Sequence, residues 1–342
     1  MLTEAVKSSI ISTYKPFNGI KIILFRGITM KLSVQTCGTL DIIGIEAGIK
    51  AIADAGFDSL DFGLDGFYKW DELTSGKKCD FFEEENINAY VDEVKAEADK
   101  YGIEFGQVHA PFPLFVPKSP AGGENVKADV AKSIEICEKV GCHRIVIHPI
   151  FDGSARFPSM TKEEEIQKNM EYYTSIIPLL KKHDVICCLE NMWGQDWRTK
   201  KIYTASCSEI NEVINYIDTL NGIAGEKRFG FCLDIGHLLL LGQDPCYWIE
   251  KLGDRLETLH THDNNGIEDQ HILPYLGCAN WDRFVLGLRK IGYSRNFSFE
   301  VSSFNRKFPK ELVPAALKLT AEVGRYFIGR ITAETDETDP KK

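Results

Sequence analysis

A single (β/α)8 TIM barrel with a short N-terminal extension is the fold this chain predicts, on three observations. Short apolar runs rich in β-branched and aromatic residues alternate with longer stretches of helical period along most of the sequence. The units recur at a spacing of roughly 30–45 residues, enough for a strand, a crossover helix and two turns. No linker-like stretch splits the body, and 342 residues with 44% hydrophobic content can bury one large core. A doubly wound open sheet is the competing architecture. It would carry fewer strands and a glycine-rich phosphate turn, and neither GxGxxG nor a Walker-type loop is present, so no nucleotide cofactor is expected.

The elements follow in order. Residues 1–29 lack the charged start, apolar centre and small-residue cleavage site of a secretory signal. Within them "IKIILF" has the composition of a short added strand, while "MKLSVQTCG" from Met30 reads as a natural beginning. Residues 1–29 are therefore expected to be an extension outside the barrel, one that offers a surface for packing against a second copy. The predicted strands are "KLSVQT" (31–36), "SLDFGL" (59–64), "FGQVHA" (105–110), "RIVIHP" (144–149), "VICCLE" (185–190), "RFGFCLD" (228–234), "LETLHTH" (256–262) and "NFSFEVS" (296–302). Each is bounded by polar or glycine-containing turns. Between them run the helical stretches "DIIGIEAGIKAIADAG", "INAYVDEVKAEADKYG", "VKADVAKSIEICEKVG", "QKNMEYYTSIIPLLKKHD", "CSEINEVINYIDTL" and "NWDRFVLGLRKIG". Gly56, Gly102, Gly141 and Gly292 stand where helices stop. The barrel domain is assigned to 30–331, and the polar, charged residues 332–342 to a disordered tail.

Composition narrows the function classes. A net charge of −10 argues against a broad polyphosphate-binding face. Ten cysteines at irregular spacing, with no CxxC pair and several inside apolar runs, suit the reduced thiols of a cytoplasmic protein. No stretch reaches the roughly 18 apolar residues a membrane span needs.

A barrel collects its chemistry at the C-terminal ends of its strands, and the polar residues fall there. The third predicted strand ends in His109, the fourth in His148, the fifth in Glu190 and the sixth in Asp234, with His237 three residues on. The seventh carries His260 and His262, two apart and so on one face of a strand. The eighth ends in Glu300, and Asp269 and His271 lie in the loop after the seventh. Taken singly, each has a structural use: an ion pair for Glu190 or Glu300, a helix cap for Asp234, a satisfied core edge for His109 and His148. Gathered on one rim, the carboxylates would repel one another unless something positive sat between them. A divalent metal is the economical solution, and mixed carboxylate and imidazole donors suit Mn, Co, Mg or Zn better than Ca.

"HAP", "IHP", "LEN", "LDIGH", "HTHDN", "DQH" and the eighth-strand glutamate, in this order and at strand ends, resemble the xylose-isomerase-like TIM barrels over residues 30–330. That group holds sugar and sugar-phosphate isomerases and epimerases, keto-inositol and dehydroshikimate dehydratases, and apurinic-site nucleases of the endonuclease-IV type. The resemblance implies one metal held by Glu190, Asp234, His260 and Glu300, with the two glutamates also serving as an acid/base pair. It selects His260 over His262, because the family histidine stands three residues before the Asp of an HxxDN-like turn. His262 then faces substrate or supports the ligands, and His237 binds a substrate oxygen. The nuclease branch implies further metal ligands: His109 and His148 joining Glu190 around one ion, and His237, Asp269 and His271 around another.

The expected activity is a metal-dependent sugar or sugar-phosphate isomerase or epimerase, acting by proton abstraction next to a carbonyl. The alternatives are a multi-zinc phosphoesterase and a keto-sugar or inositol dehydratase. Nucleic acid is disfavoured, since Lys69, Lys77 and Lys78 in the loop after the second strand are offset by Asp65, Asp71, Glu72 and Asp80. Trp193, Trp197, Tyr203, Trp70, Phe112 and Phe115 could wall a pocket for a small sugar-like substrate, with His109, His237, His262 and Trp193 touching it. Gly266 stands where ketose epimerases of this group present an arginine six residues after the metal histidine.

Overall fold

The computed structural model describes residues 30–153, 159–196 and 198–333. Eight parallel strands form the barrel: β1 Leu32–Gln35, β2 Ser59–Gly63, β3 Glu104–His109, β4 Arg144–Ile147, β5 Ile186–Glu190, β6 Phe229–Asp234, β7 Leu256–His260 and β8 Phe297–Phe299. Each pairs with its successor from β1 to β7, and β8 pairs with β1. The ring closes between β7 and β8, where Thr261 N donates to Ser298 O at 2.9 Å and Glu300 N to Thr261 O at 3.2 Å. Closure removes the exposed edges an open sheet would leave.

The crossover helices are α1 Ile45–Ala55, α2 Glu84–Tyr101, α3 Pro120–Val140, α4 Lys162–Lys182, α5 Ile210–Ala224, α6 Pro245–Leu252, α7 Trp281–Lys290 and α8 Val313–Thr332. Gly56, Gly102 and Gly141 end the first three in left-handed conformations, as their positions predict. Two of these crossover helices, α6 and α8, are not among the predicted stretches. Thr332, assigned to the tail, is the last residue of α8. A short antiparallel hairpin, Trp193–Gln195 with Ile202–Thr204, rises from the loop after β5. The segment 1–29 with its "IKIILF" strand, and residues 334–342 of the tail, lie outside the described residues.

The strands are hydrophobic toward the helices and polar or small toward the barrel axis. Outward residues such as Leu60, Phe62, Ile145, Leu189, Phe231 and Leu259 are buried in the main core. Val146, Cys188 and Cys232 make a separate small cluster within the ring. Above them, the period of two brings His109, His148, Glu190, Asp234, His260 and Glu300 to the axis at the strand ends. All ten cysteines are free, buried except at Cys37 and Cys278. No helix among the described residues is long and apolar enough to cross a membrane.

Candidate metal centre

Three groups of donors adjoin one another at the C-terminal mouth. Glu190, Asp234, His260 and Glu300 make one; His109, His148 and Glu190 a second; His237, His262, Asp269 and His271 a third. Within each group the ligand atoms lie within 4.8 Å of one another. Every residue expected to hold the first metal is therefore in one place, each at the end of its own strand. His260 Nδ1 is 3.1 Å from Glu190 Oε1 and 3.3 Å from Glu300 Oε2, so both glutamates flank one point. Glu190 is shared: its Oε2 lies 3.2 Å from His148 Nε2 and 3.7 Å from His109 Nε2.

Asp234 does two jobs. As N-cap of the short helix Ile235–Leu240 it accepts His237 N through Oδ1 at 2.7 Å, and Oδ2 meets His262 Nε2 at 2.9 Å. The cap turns the chain so that His237 projects over the mouth, with Nδ1 donating to Asn191 O at 2.7 Å and Nε2 3.2 Å from Asp269 Oδ2. His271 sends its own Nε2 to the same Asp269 oxygen at 3.0 Å. His262, expected to touch substrate, is fully buried and lies flat against His271, ring centres 4.0 Å apart, inside the third group. Although two residues apart, His260 and His262 serve different groups. The β7–β8 pairing lasts only to Thr261, and the chain then turns to pair Asp263 with Ile272.

Sequence reasoning overlooked the supports. Gln35 Nε2 donates to Glu300 Oε1 at 2.9 Å, and Asn191 exchanges two hydrogen bonds with the Asp234 main chain. Asp61, at the centre of β2, lies 3.2 Å from His260 Nε2. The signal was available: Gln35 closes β1 and Asp61 is the central residue of β2, both on the face that alternation turns to the axis. Of the expected aromatic wall, Trp193 stands 6.4 Å from His237 and Phe112 stacks on His148 at 4.3 Å, while Trp70 is exposed. Trp197 lies outside the described residues.

The electrostatics fit a cation. Burial opposes ionisation of Glu190, yet His260 and His148 hold its carboxyl well below the usual range. Burial raises Glu300 instead. Burial also opposes charging of His271, but Glu300 and Asp269 carry it up to about 10. The carboxylates thus draw positive charge from imidazoles, a task a divalent ion performs with neutral imidazole ligands. Glu190 Oε2 and Asp269 Oδ1, both buried, have no hydrogen-bond partner among the described residues. Such orphaned carboxylate oxygens are costly unless they bind an ion. Mixed oxygen and nitrogen donors suit a first-row divalent metal.

A family model described as xylose isomerase-like TIM barrel matches residues 49–323. An uncharacterised protein of Methanocaldococcus jannaschii is 27% identical over 209 residues, which make up 59% of this chain and 66% of that protein's own length. Among solved structures, the IolI protein with a bound zinc atom superposes with a TM-score of 0.66 at 16% identity, over 89% of this chain and all of the other. D-psicose 3-epimerase from Clostridium cellulolyticum H10, solved with D-tagatose, gives 0.63 at 17% identity, over 87% of this chain and 99% of that one. At such identities the likeness speaks for the fold. The matched span runs from α1 into α8 and includes all the donor residues of the mouth, and the chain belongs to the xylose isomerase-like TIM barrel family.

Proposed function

We propose that this protein is a metal-dependent isomerase or epimerase of a small polyhydroxylated carbonyl compound. The observation that carries the reading is the placement of both Glu190 and Glu300 within 3.3 Å of His260 Nδ1. Glu190, Asp234, His260 and Glu300 would hold the metal, which supplies Lewis-acid polarisation of a substrate carbonyl and so acidifies the adjacent C–H. One carboxylate removes that proton and the other returns one from the opposite side, the division of labour general acid–base catalysis requires. Gln35, donating to Glu300 Oε1, holds the carboxyl so that Oε2 is turned toward His260. Trp193 and Phe112 offer apolar flanks for a sugar ring. The solved relatives, one a ketose 3-epimerase and one holding zinc, are compatible with this chemistry. Gly266 in place of the epimerase arginine means that the far end of the substrate is gripped differently.

The Glu300→Gln variant tests the reading. It is expected to fold and to abolish exchange of solvent deuterium into a ketose substrate that the wild type labels. Exchange near the wild-type rate in that variant would overturn it.

A second reading, a multinuclear zinc phosphoesterase, is favoured by the group around Asp269, which the one-metal mechanism does not use. Plasma mass spectrometry of the purified protein separates the two. Close to one metal per chain, unchanged in His271→Ala, fits the sugar enzyme. Two or three zinc ions, one of them lost in His271→Ala, move the hydrolase forward.

A further inference from the structure

His260 differs from its neighbours in what holds its second nitrogen. His109, His237 and His271 set Nδ1 against the main-chain oxygens of Ala110, Asn191 and Glu300, at 2.9, 2.7 and 3.2 Å. A carbonyl can only accept, so each of these rings keeps a proton on Nδ1 and has Nε2 as the nitrogen that could face an ion. His260 is turned round. Its Nδ1 faces Glu190 and Glu300, and its Nε2 lies 3.2 Å from Asp61 Oδ2, a carboxylate rather than a carbonyl.

Asp61 is fully buried and held from two other strands. Its Oδ2 accepts Gln107 Nε2 of β3 at 2.8 Å and Ser298 Oγ of β8 at 3.2 Å. Asp61 Oδ1 and His260 Nε2 are both buried and have no hydrogen-bond partner among the described residues. A buried ring nitrogen without a partner is costly, and the Asp61 carboxylate, with Oδ2 at 3.2 Å, is an acceptor within reach of its proton.

We propose that Asp61 is a positioning residue for His260. By accepting the Nε2 proton it fixes the tautomer whose Nδ1 lone pair points between Glu190 and Glu300, and it makes that nitrogen a stronger donor to a divalent ion. Gln107 and Ser298 keep the carboxylate from swinging away, so four strands of the barrel fix one imidazole. This assignment rests on the metal reading above.

The test uses zinc itself, in competition with a chelator, on the full chain. Asp61→Asn is expected to weaken zinc binding by about 10–100-fold, with His260→Ala as the control that loses this ion. Nitrogen-15 NMR of the zinc-loaded wild type, labelled at histidine, reads the tautomer independently of whether the Asp61 variant folds. The His260 ring, identified by its absence in His260→Ala, is expected to carry its proton on Nε2. If His260→Ala loses zinc but Asp61→Asn binds it as tightly as wild type, or if the ring carries its proton on Nδ1, the role of Asp61 is overturned and the metal reading stands. If His260→Ala keeps its full zinc content and affinity, the metal reading itself falls.

Discussion

Gly236 shows how closely single residues are specified at the mouth. It follows the Asp234 cap by two, and a β-carbon built there would fall inside the His262 imidazole. Its φ is not in the left-handed region, so space alone excludes a side chain at this position. His262 cannot yield easily, because its Nε2 bonds Asp234 and its ring lies flat on His271. Gly236→Ala is therefore expected to push His262 off Asp234 and to cost about 1–3 kcal/mol, the usual range for overpacking. Urea denaturation measures the loss. A variant as stable as wild type would mean that the ring is free to move, and so not a fixed member of the third donor group. The same stretch, "LDIGH", was read from the sequence for its Asp and His. Its glycine is explained only by a residue 26 positions later, since the contact runs across neighbouring strands.

At the scale of elements, legibility followed period. The alternation of two that buries one face of a strand also set His109, His148, Glu190, Asp234, His260 and Glu300 on the axis, so strand ends and ligands could be read together. Asp61 escaped because "SLDFGL" offers no polar run at its end, and because its meaning depends on β7, β3 and β8, which reach it only through the closed ring. The divergence of His260 and His262 escaped for a related reason. Two residues apart, they share a face only while the strand continues, and nothing local marks the departure at Thr261. Among helices, α6 has only eight residues, too short for a clear helical period, and the hairpin strands after β5 have three residues each. The long α8 follows the proline-containing run "KFPKEL", whose breaker obscured the pattern beyond it.

Across the whole molecule, chemistry and stability occupy opposite ends of the barrel, as the fold favours. Glu257, near the start of β7, is buried among three cations drawn from three other places: Arg144 of β4 at 3.0 Å, Arg295 before β8 at 2.9 Å, and Lys227 before β6. Gly230 on β6 leaves room for it, since a β-carbon there would collide with the Glu257 side chain. Burial opposes its ionisation, but Lys227, Arg295 and Arg144 together bring its pKa below the ordinary glutamate value. A depressed folded pKa means that the carboxylate stabilises the fold above its unfolded value of about 4.3, and that this contribution disappears as pH falls through the folded value. Glu257→Gln keeps the shape and leaves the cations facing one another. It should cost roughly 1.5–3 kcal/mol at neutral pH, the range for hydrogen bonds to a charged group. In urea denaturation the gap between wild type and variant should then narrow as pH falls below the unfolded value and through the lower folded one, where the wild-type carboxyl becomes protonated too. A gap of equal size at both pH values would assign the loss to packing instead of charge. Metal affinity should be the same in both proteins, because the residues that would bind the ion stand at the other end of the same strands.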